Sequence, residues 1–173
     1  RKADCAEFDV LNRAVTDGLT ELQAEAFAEK VVSLAERMTL SREAFIIMSY
    51  NESDDLKQAK MAFEEVCTEA KFTALRLDDY EPGHTYEIKE QILDKIRSAA
   101  FVIVDLTEGR PNVYFELGYA AALGKRIVLT AKEGTDVHFD VNGLKRIEWR
   151  DFLDLRGKLR PVIKEIEKAF GGD

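Results

Sequence analysis

The segment from residue 99 to residue 124, AAFVIVDLTEGRPNVYFELGYAAALG, constrains the fold more than any other part of the chain. Its apolar run at 101–104 has the length of a strand and no polar interruption, which is typical of a strand covered on both faces. Polar residues follow from Asp105 onward. Residues 112–123 have the composition of a helix, and Gly124 can end it because glycine readily adopts the left-handed conformation of a helix terminus. The segment therefore predicts a buried strand, a polar loop and a helix.

Strand and helix patterns alternate along the chain from residue 41 onward. The predicted strands are 44–48, 72–77, 101–104, 126–130 and 144–149, and the predicted helices are 53–70, 85–98, 112–123 and 151–170, with Pro161 inside the last helix or at a break. Each connection between strands is long enough for a right-handed crossover. We therefore predict an α/β fold with a flavodoxin-like, doubly wound parallel sheet of about five strands in the order 2-1-3-4-5.

The first 40 residues differ from the rest, because apolar residues recur there at helical spacing and no strand pattern precedes them. We predict an N-terminal helical extension at 1–40 and an α/β domain at 41–173. The extension is expected to pack on the α/β domain, on a partner or on a region that precedes it. Since the chain starts without methionine, we expect it to be part of a longer protein.

Composition excludes several classes of function. The net charge of −8 argues against nucleic-acid binding, which needs a basic surface, and no apolar run reaches the length of a membrane span. No secretory signal is visible, and Cys5 and Cys67 imply no disulfide framework, so we predict a cytoplasmic protein with Cys67 as a buried thiol. His84 and His138 lack partners at metal-ligand spacing, which predicts surface positions for both and no metal site.

In a doubly wound sheet, ligands bind beyond the carboxyl ends of the strands, at the switch point between strands 1 and 3. The loops there are 49–51 and 105–112, both polar. Glu116 lies near the first turn of the next helix, and the positive end of the helix dipole is expected to keep it ionised. An ionised carboxylate beside a sugar C1′ can stabilise or trap an oxocarbenium ion. The alternative interpretation is a favourable early-helix charge without chemistry.

Four other residues of the two loops are candidate ligand contacts, each with a structural alternative. Asp105 could bind ribose hydroxyls or cap the following turn. Tyr50 could stack on a base or lie at the rim as an aromatic without a ligand. Arg110 could pair with a phosphate or remain a solvated charge. Asn112 could contact a substrate, although capping of the helix is the favoured interpretation.

The stretch from Asp105 to Lys125, DLTEGRPNVYFELGYAAALGK, resembles the nucleoside 2-deoxyribosyltransferase-like and bacterial TIR-like superfamily, with its pattern DLT…NVxxELGxAxALGK. The match is strong over 99–130 and looser back to Phe45. The resemblance implies a flavodoxin-like fold and a site that acts on an N-glycosidic bond. It also implies that Glu116 is the nucleophile or ribose-contacting acid, that Asp105 is the strand-3 aspartate of the family, and that Ser49 and Tyr50 line the sugar pocket.

One position departs from the family pattern. Nucleoside deoxyribosyltransferases of this group place a second carboxylate six residues before the glutamate, where it protonates the leaving base, and this chain has Arg110 there. General-acid help of that kind is worth about 10²–10⁴ in rate. NAD needs less help because its nicotinamide is cationic and leaves as a neutral molecule. The departure therefore favours cleavage or sensing of NAD over base exchange.

Three functions remain open from the sequence. The first is an N-glycosidase that cleaves the base–ribose bond of NAD or a related nucleotide, as a signalling or defence effector, with NAD as substrate and no other cofactor. The second is a non-catalytic nucleotide-binding or TIR-type interaction module, and the third is a nucleoside 2-deoxyribosyltransferase. A phosphoacceptor receiver is disfavoured, because residues 48–50 provide no acidic group for Mg²⁺. The expected partners are a small-molecule nucleotide and either a second copy of the chain or further domains.

Overall fold

The computed structural model describes residues 42–51, 53–77 and 85–170 of the chain. In chain order the elements are β1 (Glu43–Ile47), α1 (Asp54–Glu69), β2 (Thr73–Leu75), α2 (Thr85–Ser98), β3 (Phe101–Asp105), α3 (Pro111–Ala122), β4 (Ile127–Lys132), α4 (Phe139–Asn142), β5 (Ile147–Trp149) and α5 (Phe152–Phe170). None of the described helices is both long and apolar enough to span a bilayer. The predicted extension at 1–40 lies outside the described residues and stays a prediction.

The five strands form one parallel sheet in the order β2-β1-β3-β4-β5, which confirms the predicted fold and strand order. The register pairs Ile47 with Val104 and Asp105 with Thr130. The carboxyl ends of the three central strands therefore lie side by side. As a consequence, the loop after β1 and the loop after β3 meet at the switch point.

The two faces of the sheet bury alternate residues of each central strand. Phe101 and Ile103 pack in a core with α1, α5 and Trp149, whereas Val102 and Val104 pack in a second core with α2 and α3. These four apolar side chains of β3 are fully buried, and burial of each stabilises the fold by roughly 2 kcal/mol. An uninterrupted apolar strand is thus explained by helices on both of its faces.

The predicted elements match the observed ones, with differences at a few ends. β2 begins at Thr73 rather than at Phe72, because the Phe72 amide donates to the Cys67 carbonyl at 2.8 Å and so closes α1. Lys71 makes this closure possible with a φ of 59°. The four-residue helix α4 was not predicted, because one turn is too short to show periodicity. Cys67 is buried, as predicted.

Candidate functional site

Side chains from the two switch-point loops are joined by hydrogen bonds. Ser49, which directly follows the buried end of β1, donates from Oγ to Glu108 Oε2 at 3.2 Å. Asn51 donates from Nδ2 to Glu108 Oε1 at 3.1 Å. Because Ser49 is only 3% exposed, the serine end of its hydrogen bond to Glu108 is shielded from water. These bonds fix the loop after β3 against the loop after β1.

Glu108 is the ionised carboxylate of this crevice. Its partial burial works to raise its pKa, but hydrogen bonds from Ser53, Asn51 and Ser49 and the nearby positive charge of Arg110 outweigh that effect. The net result is that the pKa of Glu108 lies below its ordinary value. The group is therefore a hydrogen-bond acceptor at neutral pH and not a proton donor.

Tyr50 and Arg76 form the outer wall of the crevice at the end of β2. Arg76 is buried and donates from Nη2 to the Ser49 carbonyl at 3.0 Å. Its guanidinium carbon lies 5.2 Å from the centroid of the Tyr50 ring, within the range of a cation–π contact. Because Tyr50 itself is 48% exposed, one part of its ring is open to solvent and available to a planar ligand.

Glu116 lies in the second turn of α3, which begins at Pro111 and packs against α2, β1 and β3. Its side chain is 8% exposed, and this burial raises the pKa of Glu116 to about 7, although a hydrogen bond from Asn112 partly opposes the rise. The expectation that the helix dipole keeps Glu116 ionised is therefore wrong. The dipole acts mainly on the first turn, where Glu116 does not lie, so desolvation determines its pKa.

Asp105 lies beneath the site loop, where three donors of the protein surround it. Thr107 donates its amide to Oδ1 at 3.0 Å, while the Thr130 hydroxyl and the Trp149 indole donate to Oδ2 at 2.6 and 3.2 Å. Burial raises the pKa of Asp105 in spite of these bonds, and the side chain is 1% exposed. The bond to Thr107 is the turn cap that the sequence offered as the alternative to a ribose contact.

The start of α3 differs from the prediction in the residue that caps the helix. The cap residue is Arg110, which makes no side-chain capping bond, and Asn112 is the second residue of the helix. The prediction that Asn112 caps the helix is therefore wrong. The Asn112 side chain instead forms a hydrogen bond with Glu116, which lies one turn later on the same face of the helix.

The predicted site residues thus divide into three groups. Ser49 and Arg110 lie around Glu108, with Tyr50 beside them. Asn112 and Glu116 form a pair on α3. Asp105 lies below the loop, in a network of its own. Their roles toward a ligand stay predictions.

Asn51 and Glu108 lie in the loops 49–51 and 105–112 that were predicted at the switch point, but neither they nor Ser53 and Arg76 were predicted as individual site residues. The signal available was that each follows the end of β1, β2 or β3, where side chains meet at the switch point. As predicted, His138 is exposed. Within residues 42–51, 53–77 and 85–170, no cluster of three or more His, Cys, Asp or Glu side chains could hold a metal ion.

No protein-family model and no curated protein sequence matches the chain. Among solved structures, it is similar to the CMP N-glycosidase BcmB of Clostridium botulinum, with a TM-score of 0.57 and 17% identity over 69% of this chain and 98% of that one. The 2-deoxyribosyltransferase of Bacillus psychrosaccharolyticus has a TM-score of 0.52 and 17% identity, over 66% and 90% of the two chains. For the 2-deoxyribosyltransferase of Leishmania mexicana these values are 0.53 and 17%, over 69% and 97%. These similarities establish a shared fold, the one that the resemblance of the sequence implied.

Proposed function

We propose that this domain cleaves the N-glycosidic bond of a nucleoside or nucleotide, with Glu116 as the group that acts at the sugar C1′. The observation that carries the proposal is the buried Glu116 carboxyl with a pKa of about 7, held by Asn112 on a helix next to the switch point. Such a group is ionised in a large fraction of molecules at neutral pH, yet it is poorly solvated and therefore reactive. The three structural neighbours named above are a CMP N-glycosidase and two 2-deoxyribosyltransferases, which supports chemistry at a glycosidic bond of this kind.

The chemistry follows the pattern of a carboxylate nucleophile. The ionised Glu116 oxygen attacks C1′ or stabilises the oxocarbenium ion there, while the bond from C1′ to the base nitrogen breaks and its electron pair leaves with the base. Water then attacks C1′ and loses a proton to solvent, which releases the sugar and restores the Glu116 carboxylate. Only the deprotonated form of Glu116 can take part in the first step.

The finer proposal is that the substrate is NAD. Glu108 is ionised and Arg110 carries a positive charge, so neither donates a proton to a leaving base at neutral pH. A single carboxyl, Glu116, cannot be nucleophile and proton donor in the same step. A substrate whose base leaves without protonation suits such a site, and the cationic nicotinamide of NAD leaves as a neutral molecule. The same reasoning disfavours base exchange by a deoxyribosyltransferase.

The remaining residues are proposed to bind the substrate. Glu108 presents an ionised carboxylate that can accept hydrogen bonds from ribose hydroxyls, Arg110 can pair with a phosphate, and the open part of the Tyr50 ring can stack on a base. Ser49 contributes by holding Glu108. Asp105 has its observed donors already in place, so we propose that it positions the loop rather than the sugar.

A non-catalytic nucleotide-binding module is the second candidate function. The exposed Tyr50 ring beside the Arg76 guanidinium favours it, because such a stack can hold a base without any reaction. The two functions differ in whether the ligand survives binding.

The test is chromatography of NAD, CMP and deoxynucleosides after incubation with wild-type protein and Glu116→Gln. We expect release of nicotinamide by the wild type and a loss of about 10³-fold or more in Glu116→Gln. Glu165→Gln, at an exposed position of α5, is the matched control and should retain full activity. The assay is run at several protein concentrations, because a second copy of the chain is a predicted partner. Tight binding of a nucleotide that is recovered intact would favour the second function.

A further inference from the structure

A well-formed cavity lined by described residues does not contain Glu116 or Ser49. It has a volume of about 800 Å³ and lies between α3, β4 and the segment 138–145. Its α3 wall includes Tyr114, Leu117 and Gly118, and Leu129 of β4 forms part of its floor. A volume of this size matches the range in which small-molecule sites of proteins fall.

The cavity is held open by contacts within its own walls. The Tyr114 hydroxyl of α3 accepts a hydrogen bond from the His138 amide at 3.2 Å, which ties the helix to the segment 138–145. The rings of Tyr114 and His138 also meet edge to face, with centroids 5.9 Å apart. His138 Nδ1 lies 3.2 Å from the Asp140 carboxylate, so these two side chains are in contact along this wall. The cavity is thus preformed rather than opened by a ligand.

The lining of the cavity is apolar in the interior and polar at the edge. Aliphatic side chains such as Leu117, Leu129 and Val141 form the interior, whereas His138, Asp140 and Lys145 lie at the edge. Lys145 is exposed, and no carboxylate of the described residues forms an ion pair with it. An apolar interior with aromatic edges suits an aromatic body. The Asp140 carboxylate of the edge contacts His138 and not Lys145, so the Lys145 ammonium group can pair with an acid.

The cavity and Glu116 lie on opposite flanks of the same helix. Glu116 shares its flank with Asn112, one turn earlier, whereas Tyr114, Gly118 and Ala121 line the cavity at spacings of four and three residues. Two ligands could therefore occupy the two flanks together. A ligand in the cavity would contact α3 without touching Glu116.

We propose that this cavity is a second binding site, which takes a small aromatic acid whose apolar body lies against Leu117 and Leu129 and whose anionic group pairs with Lys145. Binding at this site does not depend on any activity of Glu116. The variant Glu116→Gln should therefore bind the aromatic acid as the wild type does, even if no nucleotide is cleaved by either protein.

The test uses two fluorescent probes, the anionic 8-anilinonaphthalene-1-sulfonate and the neutral N-phenyl-1-naphthylamine. Gly118 lines the cavity, and a Cβ built on it meets no atom within 4 Å, so a side chain can begin there and Gly118→Leu reduces the cavity volume. A side chain in place of glycine also favours the helix. We expect Gly118→Leu to weaken binding of both probes by about tenfold or more. Ala122→Leu, which lies on α3 but does not line the cavity, should bind both as the wild type does.

Lys145→Gln supplies a test that requires no change in the cavity volume. We expect it to weaken binding of the sulfonate by about two- to fivefold, while the neutral probe binds unchanged. The proposal is overturned if the wild type binds neither probe, or if folded Gly118→Leu binds them as tightly as the wild type. Equal binding of the sulfonate by Lys145→Gln and wild type would overturn the assignment of an acid.

Discussion

Ser49 and Glu108 are 59 positions apart in the sequence, and a 3.2 Å hydrogen bond from the Ser49 hydroxyl to the Glu108 carboxylate joins them at the switch point of the sheet. Asn51 binds the other oxygen of the same carboxylate. The loop after β1 thus determines where the negative charge of the loop after β3 lies. The shape of the crevice therefore depends on the hydrogen bonds between these two loops as well as on the strands beneath them.

Replacement of Asn51 by Asp should loosen that contact in a pH-dependent way. The variant loses an exposed hydrogen bond and places a second carboxylate beside ionised Glu108, so we expect the free energy of unfolding at pH 7 to fall by about 1 kcal/mol. The loss should shrink below about pH 4, where carboxyl groups become protonated. Denaturant unfolding at several pH values measures it. Asn51→Ala is the control, since it should show a loss without this pH dependence, and equal pH profiles for the two variants would contradict the prediction.

Glu116→Gln should stabilise the folded protein at alkaline pH. Folding raises the pKa of Glu116 from 4.5 to about 7, so the folded state binds more protons than the unfolded state between these values. The contribution of the protonated Glu116 carboxyl to the free energy of unfolding is therefore at its maximum below about pH 4.5. This contribution is lost as the pH rises to 7. The penalty above pH 7 is about 3 kcal/mol, and the neutral amide avoids it. Thermal unfolding at pH 8 and pH 4 measures this gain, with Glu165→Gln as control; no gain at pH 8 would contradict it.

The rate of any glycosidic cleavage should depend on the same titration of Glu116. It should rise over the pH range in which the stability of the fold decreases. Because the proposed nucleophile is the deprotonated Glu116, kcat/KM should rise with pH through about 7 and level off above it. Initial rates of nicotinamide release from pH 5 to pH 9 provide the measurement. A rate that falls through the same range would assign Glu116 the role of a proton donor instead.

The sheet could be predicted from the sequence because each central strand is an apolar run bounded by polar residues, a pattern set by burial on both faces. The position of the candidate site was predicted from topology alone, by which the loops after β1 and β3 meet at the switch point. The pKa of Glu116 could not be predicted, because it depends on how deeply α3 packs. The role of Glu108 could not be predicted either, because its donors come from a loop that only the tertiary fold brings near.

The burial of Asp105 and one of its partners could have been predicted from the sequence. Alternation along β3 places Asp105 on the same face as Phe101 and Ile103, which is the face covered by α1 and α5. A buried carboxylate on that face needs donors from neighbouring strands, and Thr130 of β4 pairs directly with it in the register. Trp149 could not be identified as the third partner, because the sequence does not indicate how far β5 reaches.

Replacement of Asp105 by Asn should destabilise the fold and alter the environment of Trp149, the only tryptophan of the chain. The asparagine amide can accept hydrogen bonds only through its oxygen, and its NH₂ group must face the Thr107 amide or the donors of Thr130 and Trp149. At least one buried donor is then left without an acceptor, which costs about 1–3 kcal/mol. We expect a lower midpoint of denaturant unfolding and a shift in the fluorescence emission of the native state.

The matched control for this change is Thr130→Val, which removes one donor and leaves the Asp105 carboxylate with the other two. It should cost about 1 kcal/mol and leave the Trp149 emission near that of the wild type, since the indole keeps its acceptor. The two variants thereby separate loss of the acceptor from loss of a single hydrogen bond. If Asp105→Asn is as stable as Thr130→Val and its emission is unchanged, the carboxylate does not hold the site loop. Asp105 would then be open to the ribose contact that the resemblance of the sequence implies.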